Sequence, residues 1–310
     1  MENDSGKIIF TLSGLNETRT NKQVFFAFSL LIFLCTLLVD LTLIVTISLE
    51  RNLHTPMYVF LCSLCLNAMY GATGFYPKLL HDLLSDSQVI SYAACVTQMF
   101  VVYNYVFCEF FNLTMMTYDR YNAICRPLEY HAIMTPRKVR KLLLTAWIFP
   151  FSEAMIGILL TIRLPLCGFS IDKLYCTNWE VVKLACVDTT LNNFYGYILM
   201  FLHIFQFFVI TVSYIHIIRT CLRSRAEQKK FMETCLPHLI ALINFTVSVA
   251  FDALYSRYGS KSTLLALRNT LTIEYLMVPP LLNPLIYGLK LKQVRRGFCR
   301  RFGIKVSSLK

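Results

Sequence analysis

The sequence predicts an all-α membrane protein, a seven-transmembrane helix bundle with its N-terminus outside and a short amphipathic helix at the C-terminus. Three observations predict it. Of the 310 residues, 56% are hydrophobic and 15% charged, far too apolar for a soluble domain of this size. Windows of about 20 residues, the length that crosses a bilayer, find seven apolar spans at 24–49, 58–80, 93–125, 141–162, 192–219, 230–256 and 267–289. The segments after spans one, three, five and seven (50–57, 126–141, 219–230 and 290–310) hold 1, 5, 5 and 8 Lys and Arg, nineteen in all, against ten in 1–23, 78–92, 163–191 and 257–268. The positive-inside rule makes the first set cytoplasmic. The formal charge of +12 then reads as topology and contact with anionic membrane lipid, and gives no support to nucleic-acid binding.

The elements follow in chain order. Residues 1–23 are polar and hold no apolar h-region, so no cleavable signal peptide is read and span one serves as the insertion signal. Asn3 and Asn16 head glycosylation triplets on the outer side, whereas those of Asn112 and Asn244 lie inside spans and are set aside. Span two carries Cys62 and Cys65, a C-x-x-C in an apolar helix without a His or acid partner nearby, which argues against a metal site. Span three ends in Asp119-Arg120-Tyr121. An uncompensated charge at mid-span costs roughly 2.5–3.5 kcal/mol, so Asp119 and Arg120 lie near an interface, pair with each other, or both. An Arg held by a neighbouring acid can be released by a conformational change, which is the physics of a switch.

Prolines interrupt the spans at Pro77, Pro150, Pro237, Pro279, Pro280 and Pro284. Each removes an i→i−4 hydrogen bond and invites a kink. Pro237 and Pro284, with polar residues beside them, read as hinges, and the others as packing features. Of the twelve cysteines, Cys95, Cys167, Cys176 and Cys186 fall on the outer side, where thiols oxidise, and spacing alone leaves all three pairings open. Beyond span seven, Lys290, Lys292, Arg295, Arg296, Arg300 and Arg301 alternate with Leu291, Val294, Phe298 and Phe302, an amphipathic basic helix for the inner membrane surface with Cys299 as a candidate for palmitoylation. No repeat or linker divides the chain, so 1–310 reads as one domain: an extracellular N-terminus (1–23), the helix bundle (24–289) and a cytoplasmic amphipathic helix and tail (290–310).

The string from Met116 through Asp119-Arg120-Tyr121 to Tyr130 resembles that of the odorant receptors among the rhodopsin-like (class A) G protein-coupled receptors. So do Leu53-His-Thr-Pro-Met-Tyr-Val-Phe60, Ser213-Tyr214, Thr234-Cys-Leu-Pro-His-Leu239 and Pro280-Leu-Leu-Asn-Pro-Leu-Ile-Tyr287, and the resemblance runs from about residue 24 to 302. It implies a receptor that binds a small odorant and activates a stimulatory olfactory-type heterotrimeric G protein, raising cyclic AMP. It places the chain in the plasma membrane, multi-pass, at the cilia of olfactory sensory neurons. It implies disulfides Cys95–Cys176 and Cys167–Cys186, which tie loop 163–191 over the helix mouth. It also implies that Arg120 swings from Asp119 toward Tyr214 on activation.

The activation residues are then Asp119, Arg120, Tyr121, Tyr214, His238, Asn283, Pro284 and Tyr287. Their polar members are expected to form one network at similar depth. The basic stretches Arg126–Lys141 and Arg219–Lys230 become the partner surface. Two positions depart from the family pattern: Asp40 stands where Asn is usual, and Ala68 where Asp is usual, with Asn67 beside it. Asp40 and Glu109 are therefore a candidate site for an allosteric cation such as sodium, or a pair that shares a proton. No other cofactor and no metal is expected.

The ligand pocket is expected between the outer halves of helices three, five, six and seven. Its walls are Val102, Tyr103, Val106, Phe107, Leu199, His203, Val249, Asp252, Ala253, Arg257, Ile273 and Leu276. Arg257 could hold a carboxylate there, and Asp252, Glu153 or Glu274 an amine. A retinal-binding opsin needs a lysine deep in span seven, and none stands between Arg268 and Lys290. A transporter would show two related halves, and an enzyme a nucleophile–base or metal-ligand cluster in the spans; neither is found. The alternative that stands is a non-olfactory class A receptor for a small amine or peptide.

Overall fold

A computed structural model describes residues 8–14, 18–222, 228, 231–259 and 273–284. Six helices among them are long and apolar enough to cross a membrane: Arg19–Leu49, Pro56–Leu84, Tyr92–Cys125, Pro136–Ile162, Thr190–Cys221 and His238–Tyr258, the last within Leu236–Tyr258. They are helices one to six, and the helical stretch 273–284 belongs to helix seven. Tyr287, the amphipathic helix with Cys299, and the glycosylation candidates Asn3 and Asn16 lie outside the described residues. The end of the bundle that bears Cys95 is called its outer end, and the end that bears Arg120 its inner end.

Helices one to five run 27 to 34 residues, about 40–50 Å at 1.5 Å per residue against an apolar bilayer core of about 30 Å. Their ends therefore stand in the headgroup layer, where polar caps can serve them. Thr18, Ser91 and Thr135 each accept a backbone N–H three residues on, at 3.3–3.4 Å. Pro56 and Pro136 fill first turns, where no N–H is needed. In helix six a π turn, Phe231–Cys235, precedes the α-helical part Leu236–Tyr258, which has Pro237 in its first turn. The N–H that proline lacks thus falls where the helical register changes.

Hydrophobicity is arranged for lipid. Leu31, Leu34, Leu38 and Leu41 of helix one and Phe201, Ile204, Phe205 and Phe208 of helix five are exposed, while Asp40, Asn67, Glu109, Asn112 and Asp119 are buried. Helix three is the axis, packed on helices two, four and five. Helix two approaches it closely because Gly71 has no side chain: a Cβ there would come within 2.5 Å of the Tyr105 ring. That ring is fully buried and its hydroxyl donates to the Tyr275 carbonyl at 3.0 Å, so it has nowhere to go. Gly71→Val should cost about 1–3 kcal/mol by overpacking, read as a lowered melting temperature and reduced surface display. Gly157→Ala is the control, since its Cβ would meet only Tyr195, at 3.5 Å.

The outer end adds a small sheet that the helical expectation lacks. Strand β1 (Ile9–Leu12) pairs antiparallel with β2 (Val89–Ser91) and parallel with β3 (Ser170–Ile171), in the order β2-β1-β3. Alternation turns Phe10 and Leu12 inward against Ile90, Met99, Ile158, Ile171 and Val181. Part of the segment expected to be only a polar terminus is therefore an apolar plug over the bundle mouth.

Candidate functional site

Loop 163–191 roofs the outer end, and its construction explains how it is held. The structure joins Cys95, in the first turn of helix three, to Cys176, and Cys167 to Cys186, with Cα separations of 5.5 and 5.3 Å. The Cys176 N–H donates to Gln98 Oε1 at 3.0 Å. Beside it the Tyr175 hydroxyl pairs with that of Tyr275 on helix seven, and burial pushes the Tyr175 phenol well above its ordinary value. Lys173 forms an ion pair with Asp252 of helix six at 2.7 Å, and Trp179 Nε1 donates to the Ser256 carbonyl at 2.8 Å. The Arg257 guanidinium lies 4.3 Å from the Trp179 ring centre and 5.1 Å from that of Tyr197.

Beneath this roof is a cavity of about 450 Å³, within the range of small-molecule sites. Val102, Tyr103, Val106 and Phe107 of helix three, Leu199 and His203 of helix five, and Val249, Asp252, Ala253 and Arg257 of helix six line it. Ile273 and Leu276 do not. Successive helix residues turn by about 100°, and Tyr275 takes the inward position while Leu276 is buried in the core and Ile273 packs against that core. Helix four, from which Glu153 alone was expected as a ligand contact, also contributes Ala154, Gly157 and Ile158, and the roof adds Thr177, Asn178, Trp179 and Val182. One signal for helix four was present, an acid in the middle of an apolar span at Glu153.

The acids and bases considered for ligand contact differ in what they already hold. Asp252 is paired with Lys173, and Glu274 Oε1 accepts from Asn244 Nδ2 at 2.6 Å. Glu153 Oε2, Thr177 Oγ1, His203 Nε2, Thr246 Oγ1 and Ser256 Oγ are buried without a hydrogen-bond partner among the described residues, and all five residues line the cavity. The state of His203 follows from its neighbour. Gln206 Nε2 donates to the Phe110 carbonyl at 3.2 Å and to Thr114 Oγ1 at 2.5 Å, which leaves Gln206 Oε1 facing His203 Nδ1 at 3.2 Å. Nδ1 therefore carries the hydrogen, and Nε2 is a bare acceptor. The imidazole itself stacks between Phe107 and Phe110, with centroid distances of 4.9 and 5.2 Å.

At the inner end Asp119 is fully buried with both oxygens engaged. Oδ2 accepts from Arg120 Nη2 at 2.9 Å and Oδ1 from the Tyr130 hydroxyl at 2.7 Å. Burial, with the Asp119 carboxylate beside it, pushes the Tyr130 phenol above its ordinary value, so the hydroxyl stays a donor. Tyr214 pairs with His238 Nδ1. Asn283 Nδ2 donates to Glu109 Oε1 and Asn67 Nδ2 to Glu109 Oε2, both at 2.9 Å.

Among the described residues the hydrogen bonds of the network expected here fall into three groups, Asp119–Arg120–Tyr130, Tyr214–His238 and Asn67–Glu109–Asn283, while Tyr287 lies outside the described residues. Glu109, which binds Asn283, lies eleven residues up helix three from Arg120, about 16 Å at the helical rise. Tyr121 faces the His216 ring at 6.4 Å, and Pro284 is buried next to Asn283. Asp40 is fully buried beside the Cys65 thiol, and neither of its carboxylate oxygens takes an amide or hydroxyl hydrogen from the described residues. Among the described residues no group of three or more His, Cys, Asp or Glu could hold a metal ion.

Comparison with known proteins adds the following. Residues 28–305 match the family model described as olfactory receptor. Olfactory receptor 2A12 of Homo sapiens is 37% identical over 283 residues, covering 89% of this chain and 89% of that protein. Olfactory receptor 5M5 of Mus musculus is 33% identical over 296 residues, covering 93% of this chain and 91% of that one. The crystal structure of squid rhodopsin superposes with a TM-score of 0.75 at 16% identity, over 93% of this chain and 87% of that one.

Proposed function

This chain belongs to the olfactory receptor family, and from that membership we propose that it binds a small odorant in the outer cavity and activates a stimulatory olfactory-type heterotrimeric G protein, raising cyclic AMP. Family and fold together make it a class A G protein-coupled receptor, a multi-pass membrane protein and not an enzyme. The observation that carries the proposal is that one helix pair bears both the cavity and the inner groups. Helix three carries Phe107 and Phe110 above and Asp119-Arg120 below; helix five carries His203 and Gln206 above and Tyr214 below.

Gln206 is the joint between them, bonded to helix three at Phe110 and Thr114. A ligand that draws on His203 Nε2 pulls at this joint and shifts helix five against helix three. The ligand favours whichever arrangement it binds more tightly. In the arrangement described here Arg120 is clamped by Asp119, and Tyr214 is occupied by His238. Release of Arg120 toward Tyr214 would open an inner cleft for the G protein α-subunit, with Arg126–Lys141 offering basic contacts to it; most of the second basic stretch, Arg219–Lys230, lies outside the described residues. The Lys and Arg asymmetry supports an extracellular N-terminus, and the family supports a plasma-membrane location in sensory cilia. A sodium ion would rest on Asp40 and Glu109 together, because each Glu109 oxygen keeps a lone pair beyond the amide hydrogen it already accepts.

Cyclic AMP in cells displaying the chain, across amines, alcohols, aldehydes and acids, tests the proposal. A rise that scales with surface receptor for at least one class supports it; silence across all classes at good display counts against it. The same assay checks the clamp. Tyr130→Phe removes a hydrogen bond to a charged group, worth about 1.5–3 kcal/mol, and should raise ligand-free cyclic AMP about tenfold.

A further inference from the structure

We propose that Glu153 is the anchor for the ammonium group of a small amphiphilic amine bound in the outer cavity. The proposal rests on the reading of that cavity as the odorant site and names the ligand class it is built for.

The first support is charge balance. Of the acids around the outer cavity, Asp252 has Lys173 at 2.7 Å and Glu180 has Lys183 at 2.7 Å; Glu274, whose Oε1 accepts from Asn244 and whose Oε2 is likewise buried without a partner among the described residues, is not on the cavity wall. Glu153 lines the cavity, is 5% exposed, and its Oε2 has no hydrogen-bond partner among the described residues. The Tyr195 hydroxyl nearest it donates to the Glu153 backbone carbonyl, at 2.8 Å, and not to the carboxylate. A buried carboxylate without a counter-charge is costly, and a cation arriving with the ligand offsets that cost.

The second support is the surroundings. Tyr103, Phe107 and Tyr195 line the same cavity as Glu153 with aromatic surface, which favours an ammonium by cation–π attraction. Val102, Val106 and Leu199 line the rest, a surface for the carbon body. The cation at the cavity mouth does not compete for a carboxylate in the same way. Arg257 already lies against Trp179 and Tyr197 and donates to Asn193 Oδ1 at 3.5 Å.

The experiment is thermal unfolding of the full chain in phosphatidylcholine nanodiscs, which needs no G protein. The probes share one carbon body: 2-phenylethylamine, 2-phenylethanol and phenylacetate, followed by alkyl amines of graded length. The expected result is stabilisation by amines and not by the alcohol or the acid. Glu153→Gln should raise the half-saturating amine concentration at least about thirtyfold, the loss expected when one partner of a buried charge pair is removed.

Equal or greater stabilisation by the alcohol or the acid, or none by any amine at millimolar concentration, overturns the proposal. So does an unchanged amine response in Glu153→Gln. Should that variant not fold, the wild-type comparison of amine, alcohol and acid decides alone. Amine stabilisation without cyclic AMP would leave this inference standing and remove the signalling proposal. Cyclic AMP driven only by neutral or acidic odorants would do the reverse.

Discussion

Arg120→Ala should abolish ligand-driven cyclic AMP while leaving ligand binding in place. Arg120 is held at the inner end by a fully buried acid, at 2.9 Å, with the Tyr130 hydroxyl on the other oxygen of that acid at 2.7 Å. A switch that inverts from 1:99 to 99:1 needs about 5.5 kcal/mol of differential stabilisation. Removing one partner of a buried charge pair costs about 3–5 kcal/mol, a comparable amount. Removing the guanidinium deletes the contact of both states, the clamp to Asp119 and the proposed new contact to Tyr214. The stimulated signal should fall at least about a hundredfold at equal surface display, with ligand-induced thermal stabilisation retained because Arg120 is not on the cavity wall. A normal signal from the variant would remove the clamp from the mechanism.

Breaking the Cys95–Cys176 bridge should be the most damaging change at the outer end. The cysteines are 81 residues apart in sequence, and closing a loop of that size constrains the unfolded chain by about 4 kcal/mol. The same bond places Tyr175, Thr177, Asn178 and Trp179 against the bundle, three of them on the cavity wall. Cys95→Ala with Cys176→Ala should therefore lose most surface display, and whatever reaches the surface should bind ligand poorly. Cys167→Ala with Cys186→Ala opens a loop of only 19 residues inside the roof and should be milder. Surface labelling and ligand-dependent melting of both double variants check the order.

The helices were legible because lipid makes each of them apolar over a full span, and the Asp119–Arg120 pair because both are charges where charge is costly. The family was legible in strings such as Leu53–Phe60 and Pro280–Tyr287. Other features were not, and for identifiable reasons. In a membrane bundle a cavity-facing Ala154 or Ile158 reads the same as a lipid-facing one, so helix four's share of the cavity carried no pattern beyond Glu153. A one-residue step turns a side chain by about 100°, which is why Tyr275 lines the cavity where Ile273 and Leu276 were expected. Strand Ile9–Leu12 is four residues long, and its alternation acquires meaning only from partners 80 and 160 residues away. The Lys173–Asp252 pair leaves no local trace of its 79-residue separation. Similar depth in sequence also did not reveal that Asn283 donates to Glu109, eleven residues from Arg120 along helix three.

The central claim is that ligand in the outer cavity releases the inner clamp to a G protein. The rate of GDP release from purified stimulatory G protein, with the full chain in nanodiscs and an odorant that thermally stabilises it, measures this most directly. The account predicts ligand-dependent acceleration by the wild-type chain and none by Arg120→Ala. An odorant that stabilises the chain yet leaves GDP release unchanged would contradict it.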